Sequence, residues 1–392
     1  MRVLQITRDY LSNGGIGRYV QDLTAELRND HHEVAVICGQ GPPDSGEGVH
    51  VVPGCDEFEH TSAPHNRGVA LDHAANFGPD LVLLHAMDDY QLELLLRKRY
   101  HVARFVHNHI YCPSGIDHDL DSAAPCARTQ GAACIAGYLA RRCWYVRNPA
   151  TAAAFYRRAA AAGSNLRTAP LVLTASQYVR RRVIRQGADP DRVAVAPYFA
   201  GVTRPRAGSP PPRSSRTLLF AGRIVPEKGL HVLLQAMSGL TDDARLLVNG
   251  DGPARASAVA LSRSLGLGHR VDFLGWTGRD ELLECYQRAA AVVVPSIWPE
   301  PFGLVGIEAM ACGVPVVGFR SGAIPEWLDD GVTGFMVEAG DVAGLTQRIQ
   351  RLLDDSSLRR RMGCASRARI TERFMPWHHL DAIREAVEAA PW

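Results

Sequence analysis

Short apolar runs alternate with amphipathic helical patterns along the first half of the chain. Six runs predict β-strands: RVLQIT, EVAVIC, DLVLLH, VARFVH, LVLTAS and RVAVAP. Their nearly continuous apolar character is typical of strands that are buried on both faces of a parallel sheet. Helical patterns lie between them, and in the pattern at 176–188 Ser176 is predicted to cap the start and Gly187 to end the helix. The first half is therefore predicted to be an α/β domain.

The same alternation resumes after a stretch rich in Pro, Gly and Ser at 201–216, which is predicted to be a linker. The predicted strands are TLLFAG, ARLLVNG, VDFLG, AAVVVP and VPVVGF. The predicted helices lie at about 228–239, 253–266, 279–289, 303–312 and 341–355.

The expected architecture is two doubly wound, Rossmann-like parallel-sheet domains that face each other across a cleft. The expected boundaries are 1–200 for the N-terminal domain, 217–375 for the C-terminal domain and 376–392 for a last helix that packs back on the N-terminal domain. Because ligands bind outside the carboxyl ends of the strands in such sheets, chemistry is sought where strands end.

Composition narrows the function classes. The 392 residues are 46% hydrophobic and 21% charged, which excludes a disordered or collagen-like chain, and a net charge of +2 argues against a general nucleic-acid surface. No apolar run approaches the ~20 residues that span a bilayer, and MRVLQITRDY is predicted to be a strand, not a secretion signal. An odd count of nine cysteines favours a reducing compartment, so a cytoplasmic protein is expected.

Two cations mark the loop after the first strand of the second half. Only two of the 43 basic residues are lysines, and one of them, Lys228, lies with Arg223 in AGRIVPEKG between a strand and a helix. A lysine and an arginine beside a helix N-terminus predict an anion site that suits a pyrophosphate. The alternative is a solvated turn whose charges pair with Glu227.

Two carboxylates mark the segment PEPFGLVGIEAMACGVPVVG at 299–318. Glu300 precedes the turn that opens a helix, and Glu308 follows with seven residues between them. Backbone amides at Gly303 and Leu304 can bind phosphate oxygens, and a carboxylate can accept hydrogen bonds from vicinal hydroxyls. Two ordinary helix-face acids are the alternative, but an unpaired charge is costly in the apolar surroundings of Glu308.

Two further loops follow strands in the first half. Gly15 lies in LSNGGIGRYV, a glycine loop whose backbone can approach a phosphate closely, although a tight strand-to-helix turn would look the same. His107 and His109 lie in FVHNHIYC, and one of them is expected to donate a hydrogen bond to a reacting sugar. The pattern leaves open which of the two does so.

Together these residues resemble the family-4 (group 1) retaining glycosyltransferases of the GT-B fold. The resemblance covers nearly the whole chain and is densest from 217 to 345. There GRIVPEKG, NGDGP, VDFLGW, the 299–318 segment and GAIPEWLDDGVTGFMVEAGD follow one another in the family's order and spacing. Glu300 and Glu308 look like the family's pair of glutamates.

The resemblance implies a role for each site residue. Arg223 and Lys228 would neutralise the donor diphosphate, Glu300 would hold hydroxyls of the sugar and Glu308 the ribose. The backbone amides of Gly303 and Leu304 would contact the phosphates, and the base would lie near Gly275 in the segment 273–276. Gly15 would lie against the diphosphate, and His107 beside the C6 hydroxyl of the sugar.

The resemblance also implies the reaction and its partners. A nucleotide-diphosphate sugar, UDP- or GDP-linked, would give its sugar to a small-molecule, glycan or lipid-linked acceptor, with retention and without a catalytic metal. No nucleic-acid partner is expected, and membrane contact would be peripheral, through the basic runs Arg141–Arg142, Arg157–Arg158 and Arg180–Arg182. An epimerase or sugar synthase of the same fold, or a non-catalytic nucleotide-sugar-binding protein, are the alternatives.

A cysteine-rich insertion at about 111–147 departs from the family's commonest pattern. Cys112, Cys126, Cys134 and Cys143 have 13, 7 and 8 residues between them, unlike the Cys-x-x-Cys spacing of zinc ribbons. The four thiols are expected either to be free or disulfide-bonded or to hold a structural zinc ion. A DHDLD run at 117–121 falls in this insertion and is predicted to be a loop, not a metal site.

Overall fold

Two compact α/β units make up the protein. The computed structural model describes residues 1–11, 14–41, 48–54, 63–117, 125–140, 143, 148–201 and 216–392. The first unit comprises Met1–Pro197 and His379–Trp392, and the second comprises Tyr198–His378. Three predicted features lie outside the described residues: nearly all of the linker, the basic pair Arg141–Arg142 and positions 118–121 of the DHDLD run.

A seven-stranded parallel sheet forms the centre of the first unit as described. Its strands are β1 Arg2–Asp9, β2 Glu33–Gln40, β3 Val49–Val51, β4 Leu81–Leu84, β5 His101–Val106, β6 Leu171–Thr174 and β7 Val193–Val195, in the order β3-β2-β1-β4-β5-β6-β7. Its helices are α1 Gly15–Asn29, α2 Ala63–Phe77, α3 Tyr90–Leu96, α4 Ala132–Leu139, α5 Pro149–Thr168 and α6 Gln177–Arg185. The central strands β4 and β6 are buried throughout, as continuous apolar runs predict.

A six-stranded parallel sheet forms the centre of the second unit. Its strands are β8 Thr217–Ala221, β9 Arg245–Asn249, β10 Val271–Gly275, β11 Ala291–Val294, β12 Val316–Phe319 and β13 Gly334–Val337, in the order β10-β9-β8-β11-β12-β13. The helices are α7 Leu230–Ser238, α8 Arg255–Ser264, α9 Arg279–Arg288, α10 Leu304–Ala311, α11 Ile324–Trp327, α12 Val342–Asp354, α13 Ser356–Arg373 and α14 Pro376–Ala389, whose last eleven residues belong to the first unit.

Both sheets reverse their strand order at one point. In the first sheet the order switches between β1 and β4, and in the second between β8 and β11. The loops at the carboxyl ends of two such strands diverge, which leaves a crevice for ligands. The segments that carry Arg223, Lys228 and Glu300 follow β8 and β11, so the switch point of the second sheet brings them to one edge.

Most predicted elements are confirmed, and the differences have local reasons. The Ser176 hydroxyl accepts a hydrogen bond from the Val179 amide at 3.1 Å, and Gly187 has a left-handed φ of 97° just after α6. The strands β3 and β13 were not predicted, because β3 has three residues and is half exposed, and β13 begins at a glycine. The second unit begins at Tyr198, whose ring packs on Phe302 with 5.1 Å between ring centroids.

No helix in the described ranges is both long and apolar enough to cross a membrane.

Candidate functional site

Close backbone packing joins the loops that follow β8 and β11. The first loop contains a 3-10 turn at Pro226–Lys228, and the Glu227 carbonyl accepts a hydrogen bond from the Ile297 amide at 3.0 Å. Gly229 has φ 68°, and a Cβ at this position would lie 1.8 Å from the Pro295 carbonyl oxygen. A side chain other than hydrogen would therefore force the two loops apart.

The lysine of the first loop forms an ion pair with the glutamate of the second. The Lys228 Nζ lies 2.8 Å from both carboxylate oxygens of Glu300, whose side chain is only 7% exposed. The Trp298 indole donates a further hydrogen bond to this carboxylate at 3.0 Å, and its ring centroid lies 5.4 Å from Nζ. The alternative interpretation of this loop paired its charges with Glu227. Lys228 instead faces Glu300.

The ion pair controls the protonation of Glu300. Burial by itself would raise the pKa of the carboxyl, but the Lys228 charge and hydrogen bonds from Lys228, Ser296 and Trp298 outweigh it and hold the pKa below its ordinary value. Glu300 is therefore a carboxylate near neutral pH. A buried carboxylate of this kind can accept hydrogen bonds from the hydroxyls of a ligand.

The second glutamate is held separately, by a tyrosine. Glu308 lies in α10, is 5% exposed, and accepts a hydrogen bond from the Tyr286 hydroxyl of α9 at 2.8 Å. Burial, followed by the Glu308 charge, raises the pKa of the nearby Cys312 thiol to about 12, so Cys312 is a neutral neighbour.

The start of α10 is shaped by a buried tryptophan. Gly303 caps the helix with φ 98°, and no side chain caps this end. The Trp327 indole donates to the Phe302 carbonyl at 2.6 Å, and a Cβ on Gly306 would lie 2.1 Å from the Trp327 ring. The amides of Gly303 and Leu304 thus lie at a helix N-terminus that favours anions.

The remaining predicted donor residues of the second unit lie at the same edge of the sheet. Arg223 follows β8, is exposed, and forms no ion pair with any residue in the described part of the chain. Gly275 ends β10 with φ 75°, and the neighbouring Trp276 side chain is 46% exposed. The structure places Lys228 and Glu300 in direct contact, whereas Arg223 follows β8, Gly275 ends β10 and Glu308 lies within α10.

In the first unit, the glycine loop leads directly into a helix. Gly15 is exposed and begins α1, whose cap residue Gly14 offers no side-chain hydrogen bond. Position 17 has room only for glycine, because a Cβ there would lie 2.2 Å from the Leu11 carbonyl oxygen.

The two candidate histidines occupy different environments. The His107 Nε2 lies 3.0 Å from Nδ1 of His85, and the ring stacks on Phe105 with 4.6 Å between centroids. The His109 Nδ1 lies 2.8 Å from the Tyr111 hydroxyl and 3.5 Å from Asp117.

Asp117 explains why His109 is held firmly. Its carboxylate pairs with Arg182 and lies 3.4 Å from the hydroxyls of both Tyr111 and Tyr178. Asp117 is 2% exposed, so the first residue of the DHDLD run belongs to a buried ion-pair cluster.

The four cysteines of the insertion line one small cavity. The cavity measures about 20 Å³ and is bounded by Cys112, Cys126, Cys134 and Cys143. Burial, and then the charges that the other three would carry, raise the pKa of the Cys143 thiol to about 12. Within the described ranges, however, no three ligand-type side chains are arranged to hold a metal ion. The predicted zinc site thus gains no support from the structure. Elemental analysis of the purified protein tests it, because one zinc ion per chain would indicate a zinc site and its absence would indicate free or disulfide-bonded thiols.

Family models match both halves of the chain. Residues 203–369 match the model described as glycosyl transferases group 1, and residues 13–200 match glycosyltransferase family 4. The chain belongs to the group 1 glycosyltransferases. The resemblance carried by GRIVPEKG and the 299–318 segment is therefore confirmed.

Curated relatives match part of the length of this chain. It is 36% identical over 217 residues to a D-inositol 3-phosphate glycosyltransferase of Corynebacterium diphtheriae, covering 50% of each chain. It is 36% identical over 163 residues to the N-acetyl-alpha-D-glucosaminyl L-malate synthase of Bacillus anthracis, covering 41% of this chain and 42% of that one. The match thus spans about half the length of these relatives or less.

Solved structures match almost the entire chain. Sucrose-phosphate synthase from Thermosynechococcus elongatus has a TM-score of 0.77 at 21% identity, covering 99% of this chain and 98% of that one. Anabaena HepE in complex with UDP and glucose has a TM-score of 0.74 at 19% identity, covering 99% and 100%. At these identities the match shows the fold, and it confirms the predicted GT-B architecture.

Several residues that shape the candidate site were not predicted. Trp298 stands two positions before Glu300, so its place in the sequence could have indicated it. Tyr286 and Trp327 contact the site segment from α9 and α11. Nothing in the local sequence of Tyr286 indicates this contact, whereas Trp327 lies in the motif GAIPEWLDDGVTGFMVEAGD. His85 follows β4 directly, and its position at a strand end was the available signal.

Proposed function

We propose that this protein transfers a sugar from a nucleotide-diphosphate sugar to a hydroxyl acceptor, with retention of configuration and without a divalent metal ion. The observation that carries the proposal is the ion pair of Lys228 and Glu300 at the switch point of the second sheet. It sets an ammonium for phosphate beside a buried carboxylate for sugar hydroxyls, 2.8 Å apart.

The donor would be held by complementary charge. Lys228 and the exposed Arg223 would neutralise the diphosphate, and the amides of Gly303 and Leu304 at the start of α10 would bind its oxygens. Glu300 would accept hydrogen bonds from sugar hydroxyls.

The nucleoside would lie further along the same edge. Glu308, fixed by the Tyr286 hydroxyl, would accept the ribose hydroxyls, and the base would lie near Gly275 and the exposed Trp276. A UDP- or GDP-linked sugar is the proposed donor class, and the UDP named with Anabaena HepE supports a uridine nucleotide.

The same charges would lower the barrier of the reaction. The bond between the sugar C1 and the β-phosphate oxygen breaks, and its electron pair leaves with the nucleotide, so negative charge grows on the β-phosphate. Lys228 and Arg223 would stabilise that charge at the point where the reaction needs it. A new bond forms between C1 and the acceptor oxygen on the same face, and the acceptor proton passes to the departing phosphate oxygen.

For the first unit we propose that Gly15 contacts the diphosphate and His107 contacts the sugar. The acceptor would be a small molecule, a glycan or a lipid-linked hydroxyl. Cytoplasmic placement, with peripheral contact to the inner face of a membrane, stays a prediction. Of the described basic residues in these runs, Arg157, Arg158, Arg180 and Arg181 are at least partly exposed and would be available for it, whereas Arg182 is buried against Asp117.

Nucleoside diphosphates should stabilise the protein against heat, whereas NAD should not. Binding to the native state alone stabilises by about 2.7 kcal/mol at a ligand concentration of 100 Kd. A thermal-shift series with UDP, GDP, ADP and NAD measures this and identifies the base. The Glu308→Gln variant should weaken the shift, because it removes the proposed ribose acceptor charge. An equal shift with NAD and with every diphosphate would contradict a nucleotide site.

Transfer itself is tested by incubating the purified protein with a panel of nucleotide sugars, with and without EDTA. Release of the nucleoside diphosphate in the presence of EDTA is the expected result, and the anomeric configuration of the product is read by NMR. An epimerase would instead return a nucleotide sugar, and a binding protein would leave the donor intact.

A further inference from the structure

A chain of buried polar groups connects the first strand of the first unit to His107. Its members are Thr24 on α1, Gln5 on β1, His85 after β4 and His107 after β5, and each is at most 7% exposed. Because every group is buried, each hydrogen must point from a donor to an acceptor, and the directions can be assigned from one end.

The order of donors and acceptors can be assigned from the Val20 backbone carbonyl, which can only accept a hydrogen bond. The Thr24 Oγ1 lies 2.7 Å from the Val20 carbonyl oxygen, so its single hydrogen points there. The Gln5 Nε2 lies 2.7 Å from the same Oγ1, which is left to accept, so the amide nitrogen of Gln5 faces Thr24. The amide oxygen of Gln5 therefore faces His85.

The His85 ring continues this order of donors and acceptors, because each of its two nitrogens contacts one neighbour. Its Nε2 lies 3.0 Å from the Gln5 amide oxygen and must donate to it. A neutral imidazole carries one hydrogen, so Nδ1 of His85 is an acceptor. It lies 3.0 Å from Nε2 of His107, and the hydrogen between the two rings therefore belongs to His107.

Both rings are neutral. Burial, followed by the neighbouring His379 and Arg104, lowers the pKa of His85 to about 3. Burial, followed by His85, Arg104 and His379, holds the pKa of His107 well below its ordinary value. The assignment of one hydrogen to each ring thus applies near neutral pH.

We propose that His85 is a positioning residue that fixes His107 as the tautomer with its proton on Nε2, so that Nδ1 of His107 acts as a hydrogen-bond acceptor. This inference rests on the proposed function for its consequence, because His107 would then accept a hydrogen bond from a sugar hydroxyl. This role is the reverse of the one expected from the sequence, in which the histidine donates. The substrate class this favours is a sugar with a free hydroxyl that reaches His107 and can donate.

The tautomer can be measured without any variant. Long-range ¹H–¹⁵N NMR correlations of ¹⁵N-histidine-labelled protein near neutral pH distinguish an Nε2–H ring from an Nδ1–H ring. His107→Gln assigns the signals by their disappearance. We expect a neutral Nε2–H ring for His107 and a ¹⁵N–¹⁵N coupling across the hydrogen bond to His85. A proton on Nδ1, or a positively charged ring, would overturn the proposal.

Kinetics test the consequence. His85→Phe removes the acceptor and should lower kcat about tenfold, the scale of one hydrogen bond, with a smaller effect on the donor KM. His85→Gln offers a carboxamide oxygen to His107 and should recover much of the loss. His101→Phe, at the opposite end of β5 where His101 stacks on Trp392, is the matched control and should retain the rate.

The results separate the two proposals. If no nucleotide sugar is turned over but His107 is an Nε2–H ring, the tautomer assignment stands and the proposed function fails. If the protein transfers sugar and His85→Phe matches wild type in kcat and in the tautomer of His107, the proposal about His85 is overturned.

Discussion

Replacing Lys228 with methionine should lower the rate of sugar transfer by about 10²–10³-fold, the usual cost of removing one fixed group that stabilises developing negative charge. Methionine keeps the length of the side chain and removes its charge. The measurement is kcat with a saturating nucleotide sugar. Lys98→Met is a matched control, because Lys98 is the other lysine of the chain and is exposed, and it should retain the full rate.

The companion variant Glu300→Gln keeps the shape of the carboxylate and removes its charge. It should lose activity as well, because the sugar hydroxyls lose a charged acceptor and Lys228 loses its partner. If the double variant Lys228→Met/Glu300→Gln were as active as wild type, the proposed reaction would have no site in this ion pair.

The ion pair also predicts a pH dependence of stability. The pKa of Glu300 is lower in the folded protein than its ordinary value of 4.5, so Glu300 stabilises the fold above that pH. This contribution is lost as the pH falls through the folded pKa. The free energy of unfolding of Lys228→Met should therefore lie below that of wild type near pH 7, and the difference should shrink as the pH falls below the ordinary value of 4.5 and through the folded pKa. Urea unfolding at several pH values measures it, and a constant difference would contradict it.

Gly229→Ala should destabilise the second unit far more than Gly340→Ala. Both glycines have left-handed φ values, 68° and 84°, so both variants bear the backbone cost of about 1–2 kcal/mol. A Cβ at 340 has nothing within 4 Å, whereas a Cβ at 229 would lie 1.8 Å from the Pro295 carbonyl oxygen. We expect an additional loss of about 2–3 kcal/mol for Gly229→Ala, because the loops must separate.

Urea unfolding of the two variants measures this difference. Gly229→Ala should also lose activity where it remains folded, since it moves the turn that carries Lys228 away from Glu300. Equal losses of stability in both variants would mean that the loops move apart at little cost, which would contradict close packing as the reason for their geometry.

The sequence predicted the elements well where one local rule was sufficient. Apolar runs such as those of β4 and β6 are continuous because both sheet faces are covered, and Ser176 is a cap because its hydroxyl reaches an amide three residues on. It failed at β3 and β13, where a short strand or an initial glycine carries little pattern.

For the site, the sequence supplied the residue types and the fold supplied their partners. The strand-end positions of Lys228 and Glu300 predicted one edge, and the family resemblance assigned their roles. That Lys228 faces Glu300, and that Tyr286 fixes Glu308, depends on contacts between the loops after β8 and β11 and between α9 and α10. Such contacts join residues distant in sequence, so no local pattern contains them.

By itself, the sequence determined the two α/β halves, the family and the charged residues at the strand ends, because strand patterning and motif spacing are properties of neighbouring residues. Only the tertiary structure decided that Lys228 pairs with Glu300, that His109 is held by Asp117, and that His107 is joined through His85 to Gln5. The physical reason is that the direction of a hydrogen bond and the pairing of a buried charge depend on which groups are buried together. The order of the strands in the sheet determines which groups those are.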